Sequence, residues 1–392
     1  MFIEDIDLCH INIKEISVIN HTILLDLLII YPKLFNDILH SDPAYFYGAI
    51  FTLAFSAVIL SVPSVIYTSL KYGLFDNNDL HRKTHRRNVS RLGGLAIVGS
   101  FTVCILLFSS IINFREANFV IASCIILAAL GLKDDVYGTN TSTKFILQIV
   151  VAFILVFFGS FRLTSLYGVL NIGDMPPIWG SLFSIVLIIF LNNAFNLIDG
   201  IDGLAGGIGI LTSMVFGFLF ASMGQIPYAF IAFALAGAIA GFLKYNWFPA
   251  KIFMGDTGAL IIGLVSAALA IKFIELNKFT GGNHPAFYSA PAIAVAVLIV
   301  PIFDSLRVFC IRILKRTSPF KGDRNHIHHR LERLGLKPNQ IVIASLALNV
   351  VIVVATISLQ RLGNFVLIFF IIGICAIFNG VLTLSLYRKS RA

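Results

Sequence analysis

Charged residues are scarce in this chain: Asp and Glu number 20 and Lys and Arg 29 among 392 residues, 12% in all, while 58% of the residues are hydrophobic. So few polar side chains cannot cover a water-soluble globule of this length, which makes lipid the solvent for most of the surface. Alternating apolar and polar runs of about ten residues are also missing, which disfavours a transmembrane β-barrel. The apolar runs are about twenty residues long and read as helices, whose backbone hydrogen bonds are satisfied internally. Cysteine is sparse: Cys9, Cys104, Cys124, Cys310 and Cys375 stand singly, with no CxxC or His-paired spacing. They are packing residues, and neither a disulfide frame nor a cysteine metal site is expected. The first residues, MFIEDIDLCHINIKEIS, are acidic and lack a short apolar core ending at a small-residue cleavage site, so no removable signal peptide is expected. No inverted repeat of the transporter kind and no low-complexity segment stands out.

What is present is a series of eleven apolar stretches, at roughly 44–70, 93–113, 118–132, 144–160, 181–197, 203–222, 227–243, 256–273, 289–312, 341–359 and 364–387. They predict an all-α, polytopic membrane protein of about eleven transmembrane helices. Residues 44–390 form the membrane-embedded domain. Residues 1–43 are an N-terminal extension in which His21–Tyr31 is apolar but too short to span, and is expected to be an interfacial helix. Placing the 71–92 loop in the cytoplasm puts 22 of the 29 Lys and Arg residues on that side. Arg115, Arg162, Lys272, Lys278 and Arg361 fall on the other side, and Lys14 and Lys33 in the extension. This positive-inside bias explains the net charge of +9 by orientation, with no need of a nucleic acid.

The unusual polar residues gather in five segments that the same rule places on the cytoplasmic face: HRKTHRRNVSRLGG (81–94), GLKDDVYGTNTSTKFILQ (131–148), NNAFNLIDGIDGLAGG (192–207), KYNWFPAKIFMGDTG (244–258) and SPFKGDRNHIHHRLERLGL (318–336). Asp134 and Asp135 leave one helix side by side, and Lys144 and Gln148 open the next at a spacing that shares a helix face. Asp199 and Asp202 lie one turn apart among glycines and close to Asn196. Charges near membrane depth cost about 2.5–3.5 kcal/mol each, so two of them need a reason, and the glycines admit a ligand to the backbone. Asp256 sits at the start of a helix, where backbone N–H groups favour an anion, with Asn246 and the aromatic face of Phe253 upstream.

Five aspartates meeting at one site would repel at roughly 4 kcal/mol per pair at 4 Å, a penalty that a divalent cation removes. All-oxygen ligands argue for Mg²⁺ or Mn²⁺ over Zn²⁺. His326, His328 and His329 lie beside Arg324 and Arg330. Histidines at i and i+2 do not share a helix face, and no HExxH pattern supports zinc; imidazoles among arginines suit phosphate oxygens instead.

These segments resemble the motifs of the polyprenyl-phosphate N-acetylhexosamine-1-phosphate transferases: DD with a following K and Q, NLIDGIDGLAGG, NxxPAxxFMGDTG, PxxD at Pro301 and Asp304, and PF…DRNHIHH, in family order over residues 44–390. The DR and HIHH forms make the chain more similar to the branch that uses UDP-N-acetylglucosamine than to the branch that uses UDP-MurNAc-pentapeptide. The resemblance implies Mg²⁺ on Asp256 with Asp134 and Asp135 close by. It also implies a uridine held by Asp199, Asp202 and Phe253, and phosphates held by Asn246, Lys144 and the histidines. Where the family has PxPRxGG, this chain has NVSRLGG. Arg91, Gly93 and Gly94 remain, while Asn88 and Ser90 replace prolines and put the rigidity of that loop in question.

The implied reaction joins a UDP-HexNAc donor to a polyprenyl phosphate acceptor, with release of UMP. It takes place at the cytoplasmic face of a bacterial inner membrane, in contact with lipid, and a homodimer is a further expectation. The rival within the class is phospho-MurNAc-pentapeptide transfer. A membrane transporter is the rival from another class, but it would place its charges at mid-membrane in several helices, and here they gather at helix ends.

Overall fold

The computed structural model describes residues 42–74, 89–169, 172–278, 286–316 and 325–391, together with Asp37 and Leu39. The apolar stretch 21–31, Asn88 and Arg324 lie outside the described residues. Among those described there are thirteen α-helices and no strand, apart from an isolated antiparallel bridge between Ser165 and Asp174. The helices are α1 (Pro43–Tyr72), α2 (Gly93–Phe108), α3 (Ala117–Tyr137), α4 (Thr141–Phe153, prolonged by a π-helical turn Ile154–Phe158), α5 (Pro177–Ile198), α6 (Leu204–Ser222) and α7 (Ile226–Asn246). They continue with α8 (Gly255–Lys278), α9 (Ala290–Val297), α10 (Ile299–Leu314), α11 (Ile327–Leu334), α12 (Pro338–Ser358) and α13 (Asn364–Lys389). Pro177 and Pro338 open α5 and α12, where the missing N–H has no acceptor within the helix.

The chain divides into two compact units, residues 1–49 and 50–392. In the first, Phe46 and Tyr47 meet edge to face at the start of α1. The second holds the remaining helices. At its centre is α8, packed on α2, α3, α5 and α6, with 89% of its apolar stretch buried inside the protein against 22% for α13. The sequence GDTGALIIGLVSAALAIK explains that position, because small side chains let neighbouring helices approach closely in lipid, where packing replaces the hydrophobic drive.

Eight of the described helices are long and apolar enough to cross a membrane, or nine if the bent pair α9 and α10 is counted as one span. The shorter α2 has 16 residues, and α3 ends in the charged Lys133, Asp134 and Asp135. The protein is an all-α polytopic membrane protein.

Two features depart from the expected helix plan. The single helix predicted over 289–312 is broken at Leu298, and its halves are bent by 77°. Pro301 accounts for the break, since it has no N–H for the carbonyl of Val297 and its ring would strike that carbonyl. The eight-residue α11 was not predicted at all, and it carries most of the HIHH motif.

Candidate active site

Three chain segments meet where α8 begins. Asp135, near the end of α3, caps that helix: Oδ1 accepts the Asp256 N–H at 2.8 Å, and Oδ2 accepts the Thr257 N–H at 3.1 Å and its hydroxyl at 2.6 Å. A carboxylate satisfying the otherwise open N–H groups of a helix start is favoured by hydrogen bonding and by the helix dipole together. Beside it, Lys144 of α4 places Nζ 2.6 Å from Asp134 Oδ2 and 2.7 Å from Asp256 Oδ2. Asn196, near the end of α5, is within hydrogen-bonding reach of the Asp256 carboxylate. Gly255 has a φ of +70°, and a Cβ there would lie 2.2 Å from the Arg91 carbonyl and 2.6 Å from Asp135 Oδ2. The glycine of FMGDTG is therefore required both by backbone conformation and by space.

The loop from Asp199 to Gly203 is tied to the loop that precedes α8. Asp202 Oδ2 accepts the Ala250 N–H at 2.9 Å. Asn246, 3% exposed, accepts the Gly203 N–H through Oδ1 at 2.9 Å and donates from Nδ2 to the Ile252 carbonyl at 2.9 Å. Its amide thus joins two loops. The Asp199 carboxyl is pushed up to about 8, first by burial and then by the negative charges of Asp256, Asp135 and Asp202, with Arg91 pulling the other way.

The proline-free first loop has its own brace. Ser90 Oγ donates to Ser69 Oγ at 2.8 Å and accepts the Leu92 N–H at 3.2 Å, while its carbonyl accepts the Phe253 N–H at 2.8 Å. Gly93 returns a bond to the Phe253 carbonyl at 3.0 Å. A local serine turn does here what a fixed φ would do in a proline. It also holds the backbone of Phe253 beside Arg91.

The histidine motif approaches from α10 and α11. Asp304 of α10 is buried; its Oδ2 lies 2.8 Å from His326 Nδ1, and its Oδ1 accepts the Ile327 N–H at 2.8 Å and faces Arg307 at 3.3 Å. His326 and His328 stack with ring centres 5.6 Å apart. His328 Nε2 is buried without a hydrogen-bond partner and points at the backbone of Gly200, where a Cβ would be 2.6 Å away. The motif is therefore seated on the Asp199–Asp202 loop. Two of its members turn elsewhere: His329 Nδ1 lies 3.0 Å from Glu332, and Arg330 donates to Asn379 and Thr383 of α13.

Among the described residues no three His, Cys, Asp or Glu side chains make a ready-formed metal cage. The donor set nevertheless fits a hard divalent cation. Asp134 and Asp256 present hard carboxylate oxygens that converge on one positive charge, that of Lys144.

Comparison with known proteins places the chain in a family. A family model described as glycosyl transferase family 4 matches residues 117–274. Over 338 residues, the chain is 30% identical to a Bacillus subtilis (strain 168) protein named "Probable undecaprenyl-phosphate N-acetylglucosaminyl 1-phosphate transferase", covering 85% of this chain and 90% of the relative. The chain belongs to glycosyl transferase family 4. It is also 32% identical over 274 residues to a decaprenyl-phosphate N-acetylglucosaminephosphotransferase of Mycolicibacterium smegmatis, covering 65% of this chain and 68% of that one. The undecaprenyl-phosphate alpha-N-acetylglucosaminyl 1-phosphate transferase of Escherichia coli K12 is 28% identical over 320 residues, 78% of this chain and 84% of that one.

Within this family member, three site residues escaped the candidate set drawn from sequence. Thr257 shares Asp135 with the helix start, Asn193 donates to Gln148 Oε1 at 2.8 Å, and Arg307 donates to the Asn325 carbonyl and faces Asp304. Arg307 had a visible signal, since it follows Asp304 by three residues on one helix. Thr257 and Asn193 lie in the polar segments 244–258 and 192–207, but their partners Asp135 and Gln148 are distant in the chain and only packing reveals them.

Proposed function

We propose that this protein transfers N-acetylglucosamine 1-phosphate from UDP-N-acetylglucosamine to undecaprenyl phosphate and releases UMP. It would act at the cytoplasmic face of the bacterial inner membrane. The observation that carries the proposal is the meeting of Asp134, Lys144 and Asp256 at the start of α8, and the names of the relatives support the substrates. An oxygen of the acceptor phosphate forms a bond to the β-phosphorus of the donor. The bond from that phosphorus to the bridging oxygen breaks, and UMP carries the electron pair away.

The acceptor is already anionic, so the protein's contribution is alignment and charge compensation more than proton removal. Lys144 supplies a positive charge between two carboxylates and is placed to pair with a diphosphate oxygen. Asp256 and Asp134 would hold Mg²⁺ (or Mn²⁺), with Asp135 fixing the helix start that carries Asp256. Such an ion supplies charge neutralisation for the phosphates. Asp199, Asp202 and Phe253 would hold the uridine, and His326 and His328 the phosphates. The 22 Lys and Arg residues gathered on one side support the cytoplasmic orientation.

Purified protein in detergent with Mg²⁺, undecaprenyl phosphate and a panel of UDP-sugars tests the proposal. UDP-N-acetylglucosamine should support UMP release and UDP-MurNAc-pentapeptide should not. Equal or faster turnover of the pentapeptide donor would overturn the branch, and no UMP from any donor would overturn the reaction.

A further inference from the structure

Asp304 is a carboxylate with 3% of its side chain exposed, set in the bent apolar pair α9 and α10, and such a group costs several kcal/mol to bury unless donors surround it. Three donors converge on it: Arg307 from the next turn of α10, the N–H of Ile327 at the first residue of α11, and the ring of His326. Oδ1 takes both the Arg307 guanidinium and the Ile327 N–H, and the guanidinium's positive charge favours the ionised carboxylate, whose Oδ2 can only accept. Nδ1 of His326 must therefore carry a proton, and Nε2 is the ring nitrogen left for other partners. His326 stacks on His328 with planes 9° apart, and His328 abuts Gly200, so the position set by Asp304 is passed to the loop of Asp199 and Asp202.

We propose that Asp304 is a positioning residue for the transfer reaction: its carboxylate fixes the tautomer of His326 and the start of α11, and so presents Nε2 of His326 to the substrate phosphates. This rests on the phosphate role of the histidine motif proposed above. A helix anchor alone would need only one acceptor for the Ile327 N–H, and a neutral amide could supply it. Holding the Nδ1–H form of the imidazole requires an acceptor on the second oxygen, which is what distinguishes a carboxylate from an amide at this position.

Asp304→Asn separates the two jobs, because its carbonyl can keep the Ile327 bond while its NH₂ forces Nδ1 of His326 to accept. The variant should lose turnover tenfold or more with the KM for UDP-N-acetylglucosamine changed less than twofold. In a His326→Gln background the same substitution should cost less than a further twofold. Undiminished turnover in Asp304→Asn, or a full additional loss in the double variant, would overturn the proposal. Should Asp304→Asn fail to fold, ¹⁵N-histidine NMR of the wild-type protein decides, with the His326 signal assigned by its loss in His326→Gln. A protonated Nδ1 is expected and a bare Nδ1 overturns the idea. That spectrum does not depend on any substrate, whereas absence of UMP release by the wild type would count against the reaction itself.

Discussion

Lys144 and Asp256 come from helices more than a hundred residues apart, yet Nζ of one lies 2.7 Å from Oδ2 of the other. The same ammonium reaches Asp134 at 2.6 Å. One positive charge thus joins two carboxylates that would otherwise repel, in a place only partly open to water.

The first prediction concerns that charge balance. Asp256→Asn should fold normally and lose activity by about 100-fold or more, in line with losing one charge-aligning group of a transfer site. EDTA should silence the wild type, and Mg²⁺ or Mn²⁺ should restore it. Lys144→Met should lower the thermal unfolding midpoint more in EDTA than in excess Mg²⁺, since a cation bound only to the native state stabilises it by mass action. Full turnover in EDTA would refute the metal assignment.

Gly255→Ala should destabilise the protein by more than about 2 kcal/mol, combining left-handed backbone strain with a clash against the Arg91 carbonyl. UMP release should fall as well, because Asp135 and Asp256 flank the same atom. Gly373→Ala, where a Cβ would meet open space, is the control and should leave the unfolding midpoint within a degree or two. Similar midpoints for the two variants would contradict the close approach described at Gly255.

Acid should weaken the fold through His328. Burial, then the charge of His329, with His326 and Arg307 adding and Asp304 opposing, pushes this imidazole down from 6.5 to about 3. Its native value lies below its unfolded value, so the unfolded chain binds a proton that the native protein refuses. Stability is unaffected above pH 6.5 and falls as pH drops from there toward 3, by up to roughly 1.4 kcal/mol per pH unit from this group. The unfolding midpoint of His328→Gln should fall less steeply between pH 6.5 and 4.5 than that of the wild type. Parallel curves would show that His328 titrates freely.

Sidedness follows from the basic residues. A cysteine replacing the exposed Lys337, in a background without the other cysteines, should react with a permeant thiol reagent in intact cells and with an impermeant one only after the membrane is opened. Labelling of intact cells by the impermeant reagent would invert the topology and move the site with it.

Helix positions were legible because lipid leaves a chain few options: a long apolar run must hydrogen-bond to itself. The short α11 was missed although Ile327, Leu331 and Leu334 share a face and Gly335 closes it at a φ of +98°. Its eight residues hold only three aliphatic side chains, Ile327, Leu331 and Leu334, and vanish under a search for apolar spans. The break at Leu298 was signalled by Pro301 but hidden by the unbroken hydrophobicity around it.

The sequence by itself determined which residues carry charge and where along the helices they lie: Asp134, Asp135, Asp199, Asp202 and Asp256 all stand at helix ends, where local composition alone makes them exceptional. Only the tertiary structure decided how the work is divided among them. Asp135 caps α8, Asp134 and Asp256 share Lys144, Asn246 joins two loops, and Asp304 of the PxxD motif becomes the partner of His326. Those roles depend on which donors meet across α3, α4, α8, α10 and α11. A carboxylate's identity is local, but its protonation, its partners and its task are set by groups distant in the chain that packing brings within 3 Å.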